Sequence, residues 1–297
     1  MVSRESGQGW GVEQVEAERV EFAEGPAVRM ALAIATAELR DAGCDTPRLD
    51  AELLLAEALG ATRTHLHLAP ERELTAAESE RFARLLVRRR AREPVAYVLG
   101  KRAFRYIELT VDERVLVPRP ESEGLVEAGL KLPTGARVVD VGTGSGAIAL
   151  ALKHERPDLE VLGTDVSADA LAVARANAQA LRLDVTFVHG DLLDAVEGPL
   201  DAVLSNPPYV AERDLETLEP EVIAEPDMAV FGGHDGFEIV RRLVPAAVAR
   251  APLVAIEVGC GMATTVGAML RDAGAVAVEV QRDLAGIERV VVGRRSR

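Results

Sequence analysis

Arg137-Val138-Val139-Asp140-Val141-Gly142-Thr143-Gly144-Ser145-Gly146, running on through Ala147 to Lys153, is the stretch from which the rest of the chain can be read. The apolar run Arg137–Val141 predicts a buried parallel strand, and Ala147–Lys153 predicts a helix. The glycines between them permit a tight turn and a close backbone approach to a ligand. Strand, glycine turn and helix in that order open an α/β sheet, and ligands in such sheets bind outside the carboxyl ends of the strands.

Further strands are predicted at Glu160–Thr164, Val185–His189, Asp201–Ser205, Leu253–Val258, Val276–Val280 and Arg289–Val292. Helices fit between most of them, for example Ser167–Leu181 and Phe237–Ala249. This alternation predicts a mostly parallel sheet covered on both faces. The last two strands are separated by a stretch containing Asp283-Leu284-Ala285-Gly286, too short for a helical crossover. They predict a hairpin that places one antiparallel strand in the sheet.

Polar residues gather at the predicted strand ends. Asp165 ends the second strand, where a carboxylate can accept both hydroxyls of a ribose. Asp191 and Leu192 follow the third, placed to accept from an adenine amine and to cover its ring. The fourth ends in Asn206-Pro207-Pro208-Tyr209. Its two prolines remove two backbone donors and stiffen the turn. The carbonyls of Asn206 and Pro207 are then free to accept, the Asn206 amide adds one acceptor and two donors, and Tyr209 offers a flat face. Such a site suits a planar group bearing an NH2, either a nucleobase amine or a carboxamide. Gly142, Gly144 and Ala147 also satisfy the dinucleotide-binding glycine pattern, so the glycines alone leave a nicotinamide cofactor open. Asp140, placed for the positively charged amino-acid end, and the NH2 trap at Asn206 favour S-adenosylmethionine instead. The expected cofactor set is Asp140, Gly142, Thr143, Gly144, Ser145, Gly146, Asp165, Asp191, Leu192 and Asn206.

The first third of the chain reads differently. Residues 1–25 are expected to be a poorly ordered extension, with a short helix available at Val12 to Phe22. A small helical domain is expected over 26–95. Its helices run from Ala27 to Ala42 with Gly43 beyond the end, from Thr46-Pro47 to near Gly60, and from Thr75 to Glu93-Pro94 with Glu78 completing a capping box. A β linker over 96–118, with a hairpin within Phe104–Val117, leads into a catalytic domain over 119–297.

The net charge of −14 argues against a large nucleic-acid footprint. A basic stretch (Arg81, Arg84, Arg88, Arg89, Arg90, Arg92, Lys101, Arg102, Arg105) and an acidic one (Asp184 to Glu238) read as solvated faces. No apolar run reaches membrane-spanning length and the N-terminus lacks a secretory segment, so a cytoplasmic protein without membrane contact is expected. Cys44 and Cys260 are expected to be buried thiols. The five histidines show no ligand spacing, and no metal is expected.

From Ala27 onward the chain resembles the release factor glutamine methyltransferase family. The resemblance rests on Asp45-Thr46-Pro47-Arg48-Leu49-Asp50-Ala51-Glu52-Leu53-Leu54, Glu93-Pro94-Val95-Ala96-Tyr97-Val98-Leu99-Gly100, and Val117-Pro118-Arg119-Pro120-Glu121-Ser122-Glu123. The glycine loop, Ser205 to Tyr209, Gly232-Gly233-His234-Asp235-Gly236 and Arg282-Asp283-Leu284-Ala285-Gly286 complete it. The sequence departs from the family pattern at Ala103, often acidic there, and at Gly261, near which the family often has Gln. The resemblance implies a Rossmann-like class I methyltransferase sheet behind a small helical substrate-recognition domain. It also implies methylation of the glutamine amide in the Gly-Gly-Gln loop of peptide chain release factors, by an enzyme expected to be a monomer. Asn206, Pro207 and Tyr209 are the expected catalytic residues. Pro208, Arg119 and Glu121 join them toward the substrate, although Arg119 and Glu121 read equally well as a salt-linked junction. The Arg-rich helix around Arg88, Arg89 and Arg90 is a candidate gripping surface. A DNA or RNA amino-methyltransferase would use the same Asn-Pro-Pro-Tyr site on a flipped base, a nicotinamide oxidoreductase the same glycines, and a binding module without activity the same fold.

Overall fold

A computed structural model describes residues 25–296, which fall into two compact units parting between Leu99 and Gly100. Apart from Gly25, the expected extension lies outside the described residues. Among these residues no helix is long and apolar enough to cross a membrane.

The first unit is helical: α1 (Val28–Asp41), α2 (Pro47–Leu59), α3 (Arg63–Leu68), α4 (Ala76–Arg90) and α5 (Val95–Leu99). Its core holds Leu39, Leu54, Leu55, Phe82 and Leu86, all fully buried. The chemistry at the helix ends follows the sequence. Pro47 opens α2 and Gly60, at φ 60°, closes it. The Thr75 hydroxyl accepts from the Glu78 amide while the Glu78 carboxylate accepts from the Thr75 amide, the predicted capping box. Helix α4 stops at Arg90, earlier than expected, and α3 was not legible.

The Arg-rich stretch is not uniformly solvated. Arg89 is buried, donating its Nε to Asp50 Oδ2 at 2.7 Å. Arg105 is held by Glu155 and Glu127 and is also largely enclosed. Cys44 is buried as expected, but Cys260 is exposed, because it lies in the turn just beyond a strand rather than within the core.

The second unit begins with a hairpin, β1 (Lys101–Phe104) and β2 (Ile107–Thr110), which starts earlier than predicted and turns at Arg105-Tyr106. A short 3-10 turn (Pro120–Ser122) leads into α6 (Glu123–Leu130). The sheet is then laid down by β3 (Arg137–Val141), α7 (Ala147–Glu155), β4 (Glu160–Asp165), α8 (Ala168–Leu181), β5 (Thr186–His189) and β6 (Ala202–Ser205). After the short helices α9 (Pro220–Ile223) and α10 (Asp227–Val230) come α11 (Glu238–Arg250), β7 (Leu253–Glu257), α12 (Ala263–Asp272), β8 (Ala277–Arg282) and β9 (Glu288–Arg294). The strand order is β5-β4-β3-β6-β7-β9-β8 in a seven-stranded sheet. All pairings are parallel except those of β9, which is antiparallel to both neighbours.

Strands β6 and β7 are buried at every position, as a sheet covered on both faces requires. The chain runs outward from β3 through β4 to β5 on one side and from β6 to β7 on the other. The order therefore reverses between β3 and β6, and a crevice opens at their carboxyl ends. The β3–β6 register pairs Val141 with Ser205, and Ser205 Oγ donates to the Val141 carbonyl at 2.7 Å. The residues that follow, Gly142 and Asn206, thus face each other across the crevice.

Candidate active site

The glycine loop wraps over the end of β4. Gly142, Gly144 and Gly146 have φ of 72°, 55° and 85°, a conformation unfavourable for residues with a Cβ. The amides of Gly142 and Thr143 both donate to the Thr164 carbonyl at 2.9 Å. The Asp165 carboxylate accepts from the Gly144 amide and from the Ser167 amide, each at 2.9 Å, which ties loop, strand and the start of α8 together. Four lone-pair positions on a carboxylate leave Asp165 able to accept further hydrogen bonds. Burial raises its pKa above the ordinary value.

Gly142, Gly144, Asp165, Asp191, Leu192, Asn206, Pro207 and Pro208 line one cleft. The same cleft is lined by Arg114, Val115, Leu116, Pro226, Met228 and Ala229, residues to which no motif pointed. Asp191 gives one carboxylate oxygen to Arg242 at the exposed rim. Leu192, at φ 50°, turns its carbonyl to the Thr164 hydroxyl and rests on the core.

Asp140 near the end of β3 and Thr143 and Ser145 within the loop are all buried. Asp140 is 1% exposed; its Oδ2 accepts from Thr143 Oγ1 at 2.6 Å, while Oδ1 has no hydrogen-bond partner among the described residues. Burial pushes its carboxyl up to about 7, and the neighbouring Asp165 charge adds to the rise.

Asn206 continues β6 into the two prolines. Its Nδ2 donates to Ser122 Oγ at 3.1 Å, and Ser122 Oγ donates to Glu257 Oε2 at 2.6 Å. Ser122 and Glu257 are 4% and 1% exposed. Burial pushes the Glu257 carboxyl up to about 7, with the Glu121 charge adding to the rise. Neither residue was predicted to act at the site. The available signals were weak: Ser122 sits in the Pro-Arg-Pro-Glu stretch, and Glu257 is the one charge in an otherwise apolar strand.

Tyr209 lies on this Glu257 side. A Cβ on Gly259 would come within 3.1 Å of its ring, so ring and backbone pack closely. Burial, with Glu257 nearby, pushes its phenol up to about 12 and keeps it neutral. The Gly232–Gly236 turn presses on the same segment: a Cβ at Gly232 would lie 2.5 Å from the Pro208 carbonyl, and one at Gly236 2.4 Å from the Tyr209 carbonyl. Only glycine allows that approach. Arg119 pairs with the buried Glu225, whose other oxygen accepts from the Val117 amide at 3.0 Å, so this arginine braces the second unit internally. Glu121 stands close enough to Glu257 and Tyr209 to act on both by charge.

Residues 30–100 match the family model of the PrmC N-terminal domain, and residues 122–229 that of the methyltransferase small domain. A release factor glutamine methyltransferase of Deinococcus radiodurans is 42% identical over 275 residues, covering 91% of this chain and 99% of that protein. The chain belongs to the release factor glutamine methyltransferase family. A second member, from Rhodospirillum rubrum, is also 42% identical, covering 86% of this chain and 82% of its own length. Among solved structures, the hMettl16 catalytic domain in complex with a MAT2A 3'UTR hairpin superposes with a TM-score of 0.55 at 17% identity, covering 72% of this chain and 82% of that one. A methyltransferase from Pyrococcus furiosus does so at 0.50 and 18%, covering 64% and 89%. The seven-stranded sheet of this family member is thus the expected class I methyltransferase fold. Of the two residues that depart from the expected family pattern, Ala103 is exposed on β1, and a Cβ built on Gly261, at φ 81°, would meet no described atom within 4 Å.

Proposed function

We propose that this chain transfers a methyl group from S-adenosylmethionine to the side-chain amide nitrogen of the glutamine in the Gly-Gly-Gln loop of peptide chain release factors. The carrying observation is the Asn206 amide, whose NH2 is engaged by Ser122 so that Oδ1 is left as an acceptor beside the glycine cleft.

The cleft suits the methyl donor. Asp140 Oδ1, without a hydrogen-bond partner among the described residues, is a natural acceptor for an ammonium group, Asp165 retains acceptor capacity for two ribose hydroxyls, and Leu192 supplies an apolar wall. Asp191, Gly142 and Gly144 line the remainder. S-adenosylmethionine supplies an electrophilic methyl carbon on a sulfonium that leaves as a neutral thioether.

The chain's own residues solve the harder half of the problem. A carboxamide nitrogen is a poor nucleophile because its lone pair is delocalised into the carbonyl. Asn206 Oδ1 and the Pro207 carbonyl accept its two N–H bonds and aim the nitrogen, while Tyr209 walls the flat amide. As the new C–N bond forms and the S–C bond breaks, positive charge grows on the nitrogen and faces fixed lone pairs; one N–H proton then passes to water. Orientation of this kind recovers up to about 7–11 kcal/mol, and preorganised acceptors add electrostatic stabilisation. Pro208 and Pro207 keep the turn rigid. Arg119, through Glu225, and Glu121, through its charge near Glu257, support the acceptor side.

The helical unit is proposed to recognise the folded release factor, since a loop on a protein needs contact area beyond the pocket. Incubation with labelled methyl donor and purified release factors, followed by mass spectrometry, tests the reading. One methyl on the Gly-Gly-Gln glutamine supports it; label on nucleic acid, or none on the factors, overturns it.

A further inference from the structure

The register of β6 with β7 pairs Ser205 with Ile256, so the next residues, Asn206 and Glu257, emerge side by side at the sheet end. The 3-10 turn Pro120–Ser122 inserts Ser122 between them. The direction of these hydrogen bonds is dictated by chemistry. A carboxylate only accepts, so the Ser122 hydroxyl donates its single proton to Glu257. Ser122 then has only lone pairs to offer Asn206, which must present its NH2 inward and its Oδ1 outward. Removing the buried acceptor, or protonating it, cancels the reason for that orientation.

We propose that Ser122 and Glu257 are positioning residues that set which way the Asn206 amide faces, and hence whether Asn206 offers the substrate an oxygen or an NH2. The proposal rests on the methyl-transfer reading above. With Glu257 ionised the relay stands as described. With Glu257 protonated, its O–H donates to Ser122 Oγ, the Ser122 proton turns to Asn206 Oδ1, and the amide rotates. The NH2 of Asn206 then meets the NH2 of the substrate, two donors without an acceptor between them, and turnover is lost. The charged and titratable groups around Glu257 are Glu121 on the turn, Arg119 before it, Tyr209 beyond β6 and Arg289 on β9. Burial outweighs the two arginines and holds the Glu257 carboxyl at about 7, so the relay changes direction within the range where proteins are handled. The active form is the one present above that pH, and it is lost as the pH falls through it.

The test uses the full chain with asparagine labelled in its side-chain amide. The Asn206 NH2 resonances, assigned by their loss in Asn206→Asp, are followed against pH without substrate. The proposal expects a shift with a midpoint near 7, abolished in Glu257→Gln and in Ser122→Ala, and kcat that falls across the same range only while Glu257 is present. Ser122→Ala is expected to lower kcat by up to about 100-fold, the scale of a misplaced reacting group, with KM for S-adenosylmethionine unchanged. Asn206 resonances that stay constant from about pH 5.5 to 8.5 overturn the relay, and the wild-type titration alone decides this if a variant fails to fold. A titrating Asn206 in a protein that methylates no release factor overturns the proposed function and leaves the relay standing; methylation without titration does the reverse.

Discussion

Buried carboxylates in the helical unit and in the sheet unit have opposite surroundings. In the helical unit, Asp50 accepts from Arg89 and from the Thr46 hydroxyl. Glu52 accepts from Arg48 and Arg63, each at 2.7 Å, and Glu78 from Arg72 at 2.6 Å. Against the cost of burial, Arg63 and Arg48 hold Glu52 below the usual carboxylate range, and Arg72 with the Thr75 cap brings Glu78 down to about 2. In the sheet unit, Asp140 and Glu257 are just as buried but hydrogen-bond to hydroxyls, and burial drives both up to about 7. Glu225 stands between the two patterns, bound to Arg119 yet raised by its burial. A paired acid fastens helices. A buried acid bonded to hydroxyls rather than to a cation at a strand end is an unfavourable arrangement that persists where a site uses it.

The largest expected effect lies in the fastening set. Arg89→Ala leaves Asp50 as an unpaired buried charge and should cost about 3–5 kcal/mol in urea unfolding; a loss below about 1 kcal/mol would break the contrast. Next is Asn206→Ala, which should cut turnover by about 10²–10³-fold, the scale of deleting one preorganised partner of the reacting group. Calorimetry should find the affinity for S-adenosylmethionine reduced far less than turnover, and equal losses in both would remove the assigned role.

Glu257→Gln should stabilise the fold at neutral and higher pH. The folded-state value, about 7 against 4.5, means that protonated Glu257 favours folding, and this contribution is lost as pH rises through 7. The variant's advantage in thermal unfolding should therefore be absent below about pH 4.5 and reach about 3 kcal/mol above 7, at 1.36 kcal/mol per pH unit. A constant difference at all pH values would mean that Glu257 titrates normally. The smallest effect is that of Arg84→Ala on the same helix as Arg89. Its partner Glu80 is exposed, so the change should stay below about 1 kcal/mol in the same urea assay.

How much of this was legible in the sequence follows from where the signals lie. Within the seven-stranded sheet Arg137–Val141 was bounded correctly and the other strands to within two residues; for β3, β4, β6 and β7 the reason is that continuous apolar runs mark buried strands. Thr75 with Glu78, Pro47 and Gly60 announced their helix ends locally. Gly142, Gly144, Asp165 and Asn206 were legible as strand-end residues, and the fold brings them to one cleft. Ser122 and Glu257 were not, since their role exists only when two distant segments meet beside Asn206. Arg89 looked like its neighbours in an arginine run, and only the packing of α2 on α4 singles it out. The cleft wall from Pro226 to Ala229 sits in an acidic stretch that carries no motif.

Carbon-detected titration of the side-chain carboxyls in the full chain tests the contrast most directly. The account predicts Asp140 and Glu257 titrating near 7 while Glu78 titrates near 2. Asp140 and Glu257 at the ordinary 3.8 and 4.5 would contradict it.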